Sequence, residues 1–250
     1  AVGALRPALN LSDNANAQIA RAAFLLATRN LADHPQLASA WSQTGVLHVA
    51  TGADQSERMA RIDAAHEFPH EYVASIDAEE ALHRVGHRVA RPGWWIPLGG
   101  WVQPVALCEA LLAMNRDRIA CRFGAEAAGF THRESAWHVT DSRGSIIASA
   151  QTLILAAGQG MPQLGAMNAA ALVPVRGQVT YLPPGDRRPL AAVVCGDGYV
   201  APLPDGGHCV GATFQPNDAD ETLRARDHAQ NLARLERMLP GFAAGLHPAG

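Results

Sequence analysis

The sequence predicts a mixed α/β fold. Three observations carry that expectation. Helical segments with apolar positions three and four apart alternate with short apolar strands. One strand, residues 152–158, is apolar without a break at its centre, which suits burial on both faces in a parallel sheet. The 23 Gly and 16 Pro supply turns for many short elements.

The elements follow in order. Residues 12–34 read as a helix capped by Ser12 or Asp13, with Ile19, Ala22, Ala23, Leu26 and Ala27 on one side. Residues 45–49 read as a strand, 54–66 as a polar surface helix and 72–76 as a strand. Asp77 caps a short helix. Trp94-Trp95-Ile96 is a strand, and Gly99-Gly100 a tight turn. Pro104 opens a helix whose apolar face is Val105, Leu107, Cys108, Leu111 and Leu112. Residues 118–123, 136–140 and 145–148 are expected strands, the last two a hairpin around Asp141-Ser142-Arg143-Gly144. Strands follow at 152–158, 175–182, 192–195, 199–202 and 208–214, with Pro204-Asp205-Gly206-Gly207 as a hairpin turn. Residues 219–239, bearing Leu223, Leu232, Leu235 and Leu239, close the pattern as an amphipathic helix.

With 48% apolar and 17% charged residues, the 250-residue chain has the material for one large core or two small ones. The net charge of −3 gives no basic field to draw nucleic acid. All 20 basic residues are Arg, which excludes Schiff-base and Walker-lysine chemistry. Cys108, Cys121, Cys195 and Cys209 form no C-x-x-C pair, and their sparseness suits a reducing, cytoplasmic setting. No apolar run reaches membrane-spanning length. The opening Ala1-Val2-Gly3-Ala4-Leu5-Arg6-Pro7 reads as the interior of a longer protein.

Few segments suggest chemistry by themselves. Gly158-Gln159-Gly160-Met161-Pro162-Gln163 follows the apolar strand but lacks the third Gly of a dinucleotide loop, and no acid lies about 20 positions on. Its small residues would still let backbone approach a bulky ligand. His83/His87 and His66/His70 are better read as solvated helix ends than as metal ligands, and no metal is expected. Cys195 and Cys209 are better read as two buried thiols than as a pair on neighbouring strands. Trp94, Trp95 and Trp101 suit sheet packing or a wall over a flat ligand. Arg91, Arg187 and Arg188 read as surface charges. Arg176 opens an apolar strand, where a charge calls for a partner or a ligand.

Several motifs taken together carry a resemblance. They are Gly93-Trp94-Trp95-Ile96-Pro97-Leu98-Gly99-Gly100-Trp101-Val102-Gln103-Pro104, the strand 152–158 and the stretch 173–182. Cys195-Gly196-Asp197-Gly198-Tyr199-Val200-Ala201-Pro202 and His208-Cys209-Val210-Gly211-Ala212-Thr213-Phe214 complete the set. In this order they resemble the D-amino-acid-oxidase-like flavoproteins. Within that family they are most similar to the oxidoreductase domain of a bifunctional enzyme that modifies the wobble uridine of tRNA.

The resemblance implies a partial FAD-binding, Rossmann-like lobe (1–40 and 104–166) interleaved with a mixed-sheet substrate lobe (41–103 and 167–250), and a ligand cleft between them. It implies FAD as cofactor and oxidation of a C–N bond. The substrate would be 5-carboxymethylaminomethyl(-2-thio)uridine at the tRNA wobble position, losing its carboxymethyl group. A methyltransferase domain using S-adenosylmethionine, elsewhere in the same full-length chain, would be the partner. Gly3, Ala4 and Leu5 match a loop near the flavin ring. Ala125, Ala157 and Gly158 match backbone contacts to the cofactor. Tyr199 matches a substrate-side aromatic. Related glycine oxidases carry an Arg where Leu203 stands, so Arg176 is the expected substitute for holding a carboxylate. The family's first Gly-rich strand and closing segment are expected outside these 250 residues, and the chain by itself is expected to bind FAD poorly and to be inactive. The alternatives are an oxidase of a free amino acid or small amine, and a cofactor-free domain.

Overall fold

Valine-rich strands with period-two alternation build the largest sheet of the molecule. A computed structural model describes residues 1–165, 172–185 and 190–245. In chain order the elements are β1 (Gly3–Leu5), α1 (Ala15–Asp33), β2 (Trp41–Ser42), β3 (Val46–Val49), α2 (Ala53–Ala65), β4 (Ala74–Ile76), α3 (Ala78–Val85), β5 (Gly93–Ile96), β6 (Gly100–Val102) and α4 (Pro104–Met114). Then come β7 (Gly129–Arg133), β8 (Ala136–Thr140), β9 (Ile146–Ala150), β10 (Val175–Arg176), β11 (Thr180–Leu182), β12 (Val193–Cys195), β13 (Tyr199–Pro202), β14 (His208–Gly211), β15 (Gln215–Pro216) and α5 (Ala225–Met238).

Two compact units result. One comprises Ala1–Asn115, Gly177–Thr213 and Thr222–Gly250, and the other Arg116–Arg176 and Phe214–Glu221. The expected lobes cut across these units. Residues 1–40 join the first because β1 pairs antiparallel with β6, Gly3 opposite Val102.

The first unit holds a seven-stranded mixed sheet in the order β11-β14-β13-β12-β3-β5-β4. Its β12 and β3 run parallel, with Cys195 opposite His48. Alternation sorts the strands onto two faces. Val46, Trp94, Ile96, Val193, Cys195, Ala201 and Cys209 lie on one, packed with Phe24 of α1 and Met59 and Ile62 of α2. Leu47, Val49, Trp95, Val194, Val200 and Val210 lie on the other, packed with Val85 of α3 and Leu235 and Met238 of α5. Adjacent Trp94 and Trp95 thus serve opposite cores, and Trp94 Nε1 donates to Asp63 Oδ1 at 2.7 Å. All three candidate ligand-wall tryptophans are buried packing residues.

Capping chemistry sets the helix starts. Asn14, not Ser12 or Asp13, caps α1, its Oδ1 accepting from Ala17 N at 3.0 Å. Asp77 caps α3 through Glu80 N. α5 begins at Ala225, so Leu223 stays outside it and exposed, while Leu235 and Leu239 are buried. The apolar face expected on α4 is present, yet none of that helix's side chains is buried.

The second unit contains the meander β7-β8-β9 and the short pair β10-β15. Its hairpin turn is fixed by Asp141 Oδ1, which accepts from Arg143 N and Ser145 N. Three expectations need correction. Residues 118–123 form no strand; β7 supplies the meander's remaining strand. Residues 152–158 form no buried strand, because no described strand pairs with them, and Ile154 is 84% exposed. The run 175–182 breaks into β10 and β11, one in each unit. Arg187 and Arg188 lie outside the described residues. No described helix is long and apolar enough to cross a membrane.

Candidate functional site

The face of the large sheet that carries Cys195 and Tyr199 concentrates the reactive side chains of the first unit. Tyr199 begins β13 after a turn that only glycine permits: a Cβ on Gly198 would stand 2.6 Å from the Gly211 carbonyl oxygen. The Tyr199 hydroxyl donates to the Val2 carbonyl at 2.5 Å, and the Cys209 thiol lies 3.8 Å from both. The expected substrate-side phenol is therefore anchored to the residue preceding β1. Leu203 extends the same apolar face. Cys195 and Cys209 do not lie on adjacent strands, since β13 runs between β12 and β14.

His48 stands between Trp94 and Cys195 on this face, 9% exposed. Its tautomer follows from its neighbours. Gln55 Oε1 accepts from the Thr51 N–H at 3.0 Å and the Thr51 hydroxyl at 2.6 Å. The Gln55 amide nitrogen must then face His48 Nε2, 3.2 Å away, and donate to it. The ring proton sits on Nδ1, which has no partner among the described residues. Burial, with Arg6 nearby, lowers the His48 pKa to about 4. Burial raises Cys195 to about 11 despite the opposing Arg6 guanidinium. Burial and the adjacent thiols push Tyr199 upward as well. At neutral pH burial keeps the Cys195 thiol and the Tyr199 phenol protonated, so neither is ionised to act as a base or nucleophile. Arg6, exposed, brings the positive charge near Cys195.

Gly3, Ala4 and Leu5 line an apolar groove of about 470 Å³ in the same unit, with Leu31, Val102 and Leu107. Ala157 and Gly158 line a hollow of about 1070 Å³ in the second unit, with Gly160, Gln163 and Val173. Ala125 directly precedes Glu126, Ala127 and Ala128 on that hollow's wall. Arg176, also in the second unit, is 8% exposed, and its Nη1 donates to Gln215 Oε1 at 3.4 Å. His66 Nε2 lies 3.1 Å and 3.0 Å from the Asn10 and Leu11 carbonyls, a structural use of that ring. Sequence reasoning passed over His48, Gln55 and Arg6. The available signal was one polar residue inside the buried run Val46-Leu47-His48-Val49.

The chain belongs to the FAD dependent oxidoreductase family, DAO, whose match covers residues 1–249. Among curated proteins it is similar to the tRNA 5-methylaminomethyl-2-thiouridine biosynthesis bifunctional protein MnmC of Burkholderia lata, 37% identical over 246 residues, covering 98% of this chain and 38% of that protein. The protein of that name from Ralstonia nicotianae is 37% identical over 251 residues, with 97% and 38% covered. The chain thus spans under two-fifths of the length of these relatives. Among solved structures it is similar in fold to glycine oxidase from Geobacillus kaustophilus (TM-score 0.75, 21% identity, 96% of this chain and 66% of that one). It is similar also to iminodiacetate oxidase from Chelativorans sp. BNC1 (TM-score 0.76, 19% identity, 99% and 70%).

The residues present fit the flat parts of FAD. A Cβ added at Gly3 or at Gly158 would meet nothing within 4 Å, so neither backbone is covered from that side. The groove beside Gly3 is mostly apolar, with Leu5, Leu31, Val102 and Leu107 in its lining, while the hollow beside Gly158 mixes Ala127, Ala128 and Pro162 with Glu126, Gln159 and Gln163.

Proposed function

We propose that this chain is the unit that oxidatively removes the carboxymethyl group from 5-carboxymethylaminomethyl(-2-thio)uridine at the tRNA wobble position. The observation that carries the reading is the 37% identity to MnmC of Burkholderia lata across 98% of the chain. The full protein's partner activity, a methyltransferase using S-adenosylmethionine, and a cytoplasmic location belong to the same proposal, suggested by the relatives' bifunctional name.

FAD, when bound, supplies the two-electron acceptor that the C–N bond needs. Gly3, Ala4 and Leu5 in the first unit, and Ala125, Ala157 and Gly158 in the second, are each proposed as backbone that approaches the cofactor. The chain's own contribution is positioning. Apolar walls around the bound amine would exclude water from it and strengthen each remaining polar contact. Tyr199 presents a neutral ring there, its hydroxyl already engaged by Val2. Burial keeps the Cys195 thiol and the Tyr199 phenol protonated, so neither is an ionised base for the amine's proton.

The test is nucleoside mass spectrometry of tRNA carrying the carboxymethylaminomethyl group, incubated with the natural protein that contains these residues and FAD. The expected product is the primary amine. An unchanged tRNA spectrum, together with oxidation of free glycine or iminodiacetate, supports the small-amine alternative instead.

A further inference from the structure

The loop that follows α2 meets α1 across three aromatic rings. Ring centre to ring centre, Phe68 lies 5.8 Å from Tyr72, and Tyr72 lies 6.0 Å from Phe24. His66 stacks on Phe68 at 5.1 Å, with 24° between the planes. The same imidazole faces the Asn10 and Leu11 carbonyls, so this loop also fixes the segment between β1 and α1. The rings border a hollow of about 480 Å³ within the first unit, whose lining includes Asp13, Arg21, His66, Phe68 and Tyr72.

Two features mark this hollow as more than a packing gap. Tyr72 is 8% exposed, and its hydroxyl makes no hydrogen bond among the described residues. A buried hydroxyl without a partner is costly, and a ligand atom in the hollow would relieve that cost. The second feature is the pair Arg21–Asp13, with Nη2 2.8 Å from Oδ1 and both side chains part-exposed. The other guanidinium N–H groups remain as donors, and the carboxylate keeps acceptor sites. A nucleobase has the matching chemistry: a flat face that stacks on aromatic rings and an edge that both donates and accepts. A phosphate would be repelled by Asp13 and Glu67, both in the lining.

We propose that this hollow takes one base of the tRNA anticodon loop other than the wobble uridine, an inference that rests on the tRNA reading above. Phe68 supplies the stacking surface, the Tyr72 hydroxyl and Arg21 supply donors, and Asp13 supplies the acceptor. Asp13 follows Leu5 by eight residues, so at most about 29 Å of chain separates it from β1. A base gripped here would steady the loop while its wobble uridine turns out towards the cofactor.

The probe is an anticodon stem-loop bearing the carboxymethylaminomethyl group, with binding followed by calorimetry on the FAD-loaded natural protein that contains these residues. Tyr72→Phe removes only a hydroxyl that serves nothing in the free protein, so its melting temperature is expected to hold. It is expected to bind the stem-loop about 5- to 10-fold more weakly, and the free modified nucleoside as tightly as the wild type does. Arg21→Met, at a part-exposed position, is the second variant, with a loss of the same size. Abasic sites placed one at a time locate the base. One position other than the wobble is expected to weaken wild-type binding about 10-fold and to matter little in Tyr72→Phe. If both variants bind the stem-loop like the wild type, and the wild type forms the primary amine on tRNA, the base site is wrong and the functional reading stands. If every abasic position weakens wild type and Tyr72→Phe alike, the base site is also wrong. If the wild type forms no primary amine on tRNA, the functional reading falls and takes the base site with it.

Discussion

The Tyr199 hydroxyl donates to the Val2 carbonyl at 2.5 Å, joining residues 197 positions apart in the chain. The bond ties β13, an interior strand of the large sheet, to the segment leading into β1. It sets where Gly3, Ala4, Leu5 and Arg6 stand against the sheet face. Tyr199→Phe keeps the ring and removes the donor. It is expected to lower unfolding free energy by about 1–2 kcal/mol, since the Val2 carbonyl loses a half-buried partner. Urea unfolding of the variant beside the wild type measures this.

His48 gives a pH dependence with a definite sign. Its pKa falls from 6.5 to about 4 on folding. The unfolded chain therefore takes up the proton first as pH drops. The stability due to neutral burial is complete above about pH 6.5 and is lost progressively as pH falls towards 4, by up to about 3 kcal/mol. His48→Gln is expected to flatten the stability slope in that window. The same slope in wild type and variant contradicts the assignment.

The four thiols divide by burial. Cys108 and Cys121 are exposed, while Cys195 and Cys209 are buried. Cys195 also has its pKa raised to about 11, leaving it protonated at neutral pH. A thiol-specific reagent at pH 7.5 is expected to label Cys108 and Cys121 promptly, and the other two only in denaturant. Peptide mass spectrometry identifies the labelled sites.

Gly198→Ala tests the turn that delivers Tyr199. The added Cβ would meet the Gly211 carbonyl oxygen at 2.6 Å, backbone against backbone. The expected loss is about 2 kcal/mol or more, because neither strand can yield without disturbing the β13–β14 register. The contrasting change Gly144→Ala meets no atom within 4 Å, and its cost comes from a φ of +79° alone.

Much of this fold was legible because local chemistry decides it. Asp77 capping α3, Pro104 opening α4 and the Asp205-Gly206 turn between β13 and β14 all follow from residue type and position. The failures share a cause. An apolar run states that a segment prefers burial, not what will cover it. Residues 152–158 have the composition of a central strand but no described pairing partner, and α4 has an apolar face with no buried side chain. Tyr199 and the Gly3-Ala4-Leu5 segment were singled out from motif order alone. The His48–Gln55–Thr51 chain was not, because it depends on a strand and a helix meeting with their side chains in register.

The most direct test of the whole account is anaerobic mixing of the FAD-loaded natural protein with tRNA bearing the carboxymethylaminomethyl group. The account predicts that the yellow flavin absorbance bleaches with that tRNA and persists with tRNA lacking the group. Bleaching by both, or by neither, contradicts it.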